Sequence, residues 1–307
     1  MVRLLVGLAL LALPGCRARR RRSYSCAQDA EAGENISRLV CPPRTSSRSA
    51  VALGPGYTLR WLHVPKCGTS LATAVYRAAC PLLPARAAIP RPTSPYPGHV
   101  QDYYAQCFPE EISQCFLHPA DTLRPSPTHV PIGAFAPARH AYATMLRDPW
   151  QRLLSAWRWK AQFFDPPCTE LSVACAHRNR GIYVNMILGN WTREPRSPPV
   201  KYPDQNDVER ATSRLEAFAF VGLVEKWVES ICLFHATFGG EVTKGELFNT
   251  RPGALTRTKA PGVGLWAKPA EYDTPMVPGL EDSADHRLYA SAQALFERRF
   301  RAAFAPD

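Results

Sequence analysis

The chain has 307 residues, 46% hydrophobic and 21% charged, enough for one substantial core and too apolar for disorder to be its main state. A formal net charge of +11 predicts anionic partners without separating nucleic acid, sulfated glycan, nucleotide or membrane surface. No G-x-x-x-x-G-K-S/T sequence occurs, which excludes an NTP held by a Walker A loop. The N-terminus, MVRLLVGLALLALPGC, has an apolar run from Leu4 to Leu13, followed by five arginines and preceded by one. That run is shorter than the about 20 residues that cross a bilayer, and its length suits a signal-peptide core. The arginine bias opposes a cytoplasmic N-terminus. A cleaved signal over 1–24 is therefore expected, with membrane anchoring through this segment as the rival. Residues 25–56 are polar, rich in Ser, Arg, Pro and Gly, and read as an unpacked stem before a domain over 57–307.

With a secretory signal, the ten cysteines fit an oxidising compartment. Cys168 and Cys175 close a short loop and are the expected disulfide. A zinc set of Cys168, Cys175 and His177 competes, but it lacks a second ligand pair at zinc-finger spacing. The sequons Asn35-Ile-Ser and Asn190-Trp-Thr are compatible with secretion.

The first predicted strand is TLRWLHV, residues 58–64. It stops at Pro65 and passes through Lys66-Cys-Gly-Thr-Ser70 into LATAVYRAA, a helix over about 70–79. Strand, one-glycine turn with lysine, and a hydroxyl-rich helix start together make an anion site: main-chain N–H groups and the helix dipole favour negative charge there. Residues 81–98 are proline-rich loop, HVQDYYAQCF reads as a short helix, and LRPSPTHVPIGAF is a second loop. HAYATML (140–146) is the next strand. After Arg147-Asp-Pro a helix is predicted from Trp150 to Phe164, with Leu153, Leu154, Trp157 and Ala161 on one face. A third strand is predicted at AFAFVGL (217–223), then a helix at VEKWVESICLFHATF. A long closing helix, SADHRLYASAQALFERRFRAAF, carries Leu288, Ala292, Leu295, Phe296 and Phe300 as its apolar stripe. Strands alternating with helices predict an α/β fold with a parallel sheet and a ligand at the strand C-terminal ends, where both Lys66 and Arg147 fall.

The two turns carry a resemblance. PKCGTS at 65–70 resembles the 5′-phosphosulfate loop of sulfotransferases, Pro-Lys-x-Gly followed by two hydroxyl residues. LRDPWQRLLSAW resembles their 3′-phosphate motif, Arg-Asp/Asn-Pro with Ser eight residues after the Arg. THVPIGAF, FAFVGLVEKWVESICLF and DHRLYASAQALFERRF resemble three further segments of Golgi-type carbohydrate sulfotransferases, so the likeness spans about residues 57–304. It implies a P-loop-like central parallel sheet flanked by helices in a single catalytic domain. The implied co-substrate is 3′-phosphoadenosine-5′-phosphosulfate (PAPS), with no metal. Lys66, Cys67, Gly68, Thr69 and Ser70 would hold its 5′-phosphosulfate, and Arg147 with Ser155 its 3′-phosphate. His129 would take the proton of an acceptor hydroxyl. Cys67 stands where many members have Thr or Ser, and Thr128 replaces a glycine before His129. The resemblance further implies a glycan acceptor, no nucleic-acid partner, and residence in the Golgi lumen or secretion.

Plainer readings stand beside these. Lys66 can be a solvated loop residue, and Arg147 and Ser155 can serve helix capping alone. His140 competes as the base, with His99 and His118 behind it. Cys67 is either an activated nucleophile or a tolerated small residue. Glu225 is either a second acid or base or the dipole complement of a helix start. Trp150, Trp157 and Trp159 read as core, and Arg251, Arg257 and Lys259 occupy a loop that can add phosphate contacts. At the level of function, the alternative is a non-catalytic anion- or glycan-binding protein of the same fold. Acceptor specificity is expected in the proline-rich loops 81–127 and 165–203.

Overall fold

The strand HAYATML is apolar along nearly its whole length, the pattern of a strand covered on both faces. In the computed structural model this is strand β2, His140–Leu146, buried from Ala141 onward. The structure describes residues 34–44, 51, 58–68, 71–80, 82–84, 104, 106–115, 129–158, 171–172, 176, 179–191, 201–247 and 275–304. On one side β2 pairs in parallel with β1, Thr58–Leu62, and on the other with β3, Phe220–Leu223, giving the order β1-β2-β3. Leu62 lies opposite Thr144 and Leu146 opposite Leu223, so all three chains leave the sheet at one edge. β1 ends two residues before the predicted strand does, as Val64 N turns back to donate to Leu62 O at 3.1 Å. β3 starts later than predicted because Phe218 still closes the preceding helix, its N–H donating to Leu215 O.

Helices cover this sheet. In chain order they are α1 (Ser37–Val40), α2 (Ala72–Ala79), α3 (Pro109–Cys115), α4 (Pro149–Arg158), α5 (Ile182–Leu188), α6 (Gln205–Glu216), α7 (Trp227–Phe238) and α8 (Ser283–Phe304). α7 packs on β3, while α8 crosses α5, α6 and β3. The long closing helix has the predicted bounds, and its stripe of Leu288, Ala292, Leu295 and Phe296 is core. The result is an α/β domain with a small parallel sheet flanked by helices. Among the described residues no helix is long and apolar enough to cross a membrane.

Two findings correct the sequence reading. α5 lies inside the stretch 165–203 assigned to specificity loops, yet every one of its residues, IYVNMIL, is buried. Glycines with positive φ, Gly181 and Gly189, bound it, and a side chain at Gly189 would come within 2.4 Å of Ile132 O. Residues 34–44 belong to the expected stem, yet they pack on the domain. Ile36 joins the main core and donates its N–H to Val242 O. Asn35 bridges to Thr243, Arg44 donates to His235 O, and Cys41 forms a disulfide with Cys232 of α7. The apolar side chain of Ile36 and the thiol of Cys41, embedded in a polar stretch, supply that adhesion. A second disulfide, Cys80–Cys115, joins the end of α2 to α3 beside Tyr76, Tyr104 and Phe108. These bridges fit the oxidising environment expected of a secreted chain; the expected pair Cys168–Cys175 lies outside the described residues.

Candidate functional site

The three strands deliver Lys66, Arg147 and Glu225 to the same sheet edge, each just beyond a strand end. After β1 the chain turns sharply, with Cys67 N donating to Val64 O and Leu71 N to Gly68 O. Lys66 takes φ 67°, in the left-handed region that residues with a Cβ rarely enter, and Gly68 takes φ 70°. At Gly68 glycine is required twice, since a Cβ there would also stand 2.8 Å from the ring of Trp227. Thr69 and Ser70, the other expected donors of this loop, lie outside the described residues.

After β2, Asp148 caps α4: its Oδ1 accepts from Gln151 N at 2.9 Å, and Pro149 follows in the first turn, where its missing N–H costs nothing. Glu225, on the 3₁₀ turn Val224–Lys226, accepts from Asp148 N at 2.9 Å and lies 3.9 Å from Arg147 Nε. Tyr289 of α8 donates to the other Glu225 oxygen at 2.7 Å. Glu225 therefore braces the Arg147 turn, a role beyond the dipole complement read from its position in the sequence. Arg147 is 7% exposed, and Ser155 sits buried two turns along α4.

His129 comes to the same edge from a separate segment. Its Nδ1 donates to His63 O at 2.9 Å, since a carbonyl only accepts. In a neutral ring that bond puts the proton on Nδ1 and the lone pair on Nε2, the arrangement a general base requires. The His129 ring lies 4.5 Å from that of His63, which stacks on Trp61 at 4.4 Å, and meets Trp191 edge-on at 6.5 Å. Ile132 N donates to Met186 O, so α5 holds the His129 segment in place. His140, the competing base, sits at the opposite sheet edge with Nδ1 2.8 Å from Thr58 Oγ1, about 20 Å of strand away from Arg147. His99 and His118 lie outside the described residues, as do Arg251, Arg257, Lys259 and Trp159. Trp150 is buried and Trp157 packs partly against the same cluster, as the core reading holds.

Behind the two turns the interior is polar. Cys67 is a free, buried thiol whose Sγ lies 3.4 Å from Tyr183 Oη. Burial pushes the thiol up to about 12, against the lowering effect of the Tyr183 hydrogen bond, Arg152 and Arg147. So placed it is inert as a nucleophile, and its main-chain N–H is taken by Val64 O. Arg152 is buried, donates to Asn179 O and lies 5.6 Å from the Tyr183 ring centroid. Among the described residues its Nε and Nη1 find no acceptor. The nearby Asp285 carboxyl is pushed up by burial and by Asp282, which weakens its negative charge, while Arg152 acts against this. Lys66 and Arg147 on the turns and Arg152 behind them thus bring three cationic side chains to this region, beside the carboxylates of Asp148, Glu225, Asp282 and Asp285. Among the described residues no group of three or more His, Cys, Asp or Glu is placed to hold a metal ion.

Sequence reasoning missed Tyr183, Arg152 and Asp285, whose importance comes from tertiary placement. The glycines bounding α5 were the one local signal pointing to that element. The chain matches no family model, no curated protein and no solved structure.

Proposed function

We propose that this chain is a PAPS-dependent sulfotransferase that sulfates a hydroxyl of a carbohydrate acceptor in the secretory pathway, in the Golgi lumen or after secretion. The observation that carries this reading is the meeting of the Lys66 turn, the Arg147 turn and His129 at one edge of a parallel sheet. In this reading the fold is P-loop-like. Lys66 and the adjoining N–H groups of Gly68, Thr69 and Ser70 hold the 5′-phosphosulfate, while the Cys67 N–H, expected among them, is turned to Val64 O, and Arg147 with Ser155 holds the 3′-phosphate.

His129 Nε2 takes the proton as the acceptor oxygen forms its bond to sulfur. The bond from sulfur to the bridging oxygen of the 5′-phosphate breaks, and its electron pair stays on that oxygen. Lys66 stabilises the charge developing there, so positioning and electrostatics supply most of the rate, as in phosphoryl transfer. The products are a sulfate ester and adenosine 3′,5′-bisphosphate.

The test is transfer of labelled sulfate from PAPS onto a panel of polysaccharides, glycolipids and tyrosine peptides. Label enters a carbohydrate hydroxyl, and His129→Ala lowers transfer about a hundredfold or more with nucleotide affinity unchanged. A wild-type chain that binds the nucleotide but labels nothing is instead a non-catalytic anion- or glycan-binding protein. Near-wild-type turnover by His129→Ala would refute His129 as the base.

A further inference from the structure

Tyr183 has the position of a spacer between the two turns. Its hydroxyl stands 2.6 Å from Arg147 O and 3.4 Å from Cys67 Sγ. Arg147 O can only accept, so the single Tyr183 proton goes to it. The Cys67 thiol then donates to Tyr183 Oη, making a directed chain from the Lys66 turn to the Arg147 turn. Burial holds both Tyr183 and Cys67 in the protonated forms this chain needs. Tyr183 is itself anchored, because Asp285 accepts its main-chain N–H through both oxygens, at 3.0 and 3.1 Å, and also that of Val184. Two residues before Tyr183, Gly181 N donates to Asp282 at 2.8 Å. The start of α8 therefore fixes α5, and α5 fixes the hydroxyl between the turns. The side chain is fully buried, so it touches no ligand.

We infer that Tyr183 is a positioning residue that sets the spacing between the Lys66 and Arg147 turns, so that both ends of one bisphosphate nucleotide are gripped together. This rests on the nucleotide reading above and adds to it the device that holds the two halves in register. A residue that only stabilised the fold would affect every ligand alike. A spacer affects the ligand that spans both turns and spares ligands that reach one.

The experiment is calorimetry on the full chain with adenosine 3′,5′-bisphosphate, adenosine 5′-phosphate and adenosine 3′-phosphate. Tyr183→Phe keeps the ring and removes the hydroxyl. It weakens the bisphosphate about fivefold, the scale of one buried hydrogen bond, and leaves each monophosphate within about twofold. Tyr142→Phe, which removes a hydroxyl bonded to Ala136 N and Ala134 O, leaves the affinity ratio unchanged. Cys67→Ala shifts the ratio in the same direction as Tyr183→Phe, and Cys67→Ser, which keeps a donor, restores it. If Tyr183→Phe does not fold, the two Cys67 variants decide the question. An unshifted ratio in Tyr183→Phe, or an equal shift in Tyr142→Phe, overturns the spacer while leaving the nucleotide site intact. A wild-type chain that binds no bisphosphate removes both.

Discussion

Cys67 shows how burial changes the chemistry of one residue. At a helix start beside Lys66, an exposed thiol would lose its proton readily. Here it packs into the core among neighbours of the first turn, and ionising it would place a charge where water cannot reach. Its titration moves from an ordinary 9.0 to about 12, so the folded state keeps the proton after the unfolded chain has released it. The stabilisation is complete below pH 9.0 and is lost as the pH rises towards about 12. Urea denaturation should show the wild-type chain losing about 1 kcal/mol more than Cys67→Ala between pH 9 and 10. Equal losses in the two proteins would mean that the thiol ionises freely in the fold. His129 illustrates the converse, since a single main-chain hydrogen bond gives an otherwise ordinary loop histidine the tautomer of a base.

At the scale of elements, the N-terminal segment behaves as part of the domain. The Cys41–Cys232 bridge ties α1 to α7 across a sequence separation of 191, and the loop after α7 receives the segment through Val242, Thr243 and Lys244. That loop has its own buried anchor in Glu246, which lies 2.9 Å from Arg77 and 3.1 Å from His235. Burial pushes the Glu246 carboxyl up, but His235, Arg77 and the Thr243 N–H together hold it below its usual range. Cys41→Ser/Cys232→Ser should cost about 2–5 kcal/mol of unfolding free energy in non-reducing urea. A loss below about 0.5 kcal/mol would show that the segment is dispensable to the fold. The same observation counsels against starting a recombinant domain at Tyr57, because such a protein lacks Ile36 and leaves Cys232 without its partner.

The whole molecule is a sheet edge on which separate loops converge, and the sequence revealed its parts unevenly. β2 and α8 were legible because each has a strong period and clear limits: HAYATML runs into Arg147-Asp-Pro, and the closing helix repeats its apolar stripe over 22 residues. Lys66 and Arg147 were legible because strand, turn and helix follow one another locally. α5 was not, since seven consecutive buried residues show neither helical nor strand alternation. Tyr183 and Asp285 are far apart in the chain and acquire their roles only when α8 meets α5. Glu225 reads as an ordinary first-turn glutamate until its reach to Asp148 N is seen. The pairing of two turns on one nucleotide is the claim on which these assignments depend. Calorimetric titration of the full chain with adenosine 3′,5′-bisphosphate tests it most directly. Wild type should bind, and Lys66→Ala and Arg147→Ala should each weaken binding about tenfold to a hundredfold, as loss of a charged hydrogen bond does. Equal affinity in all three proteins would contradict the account.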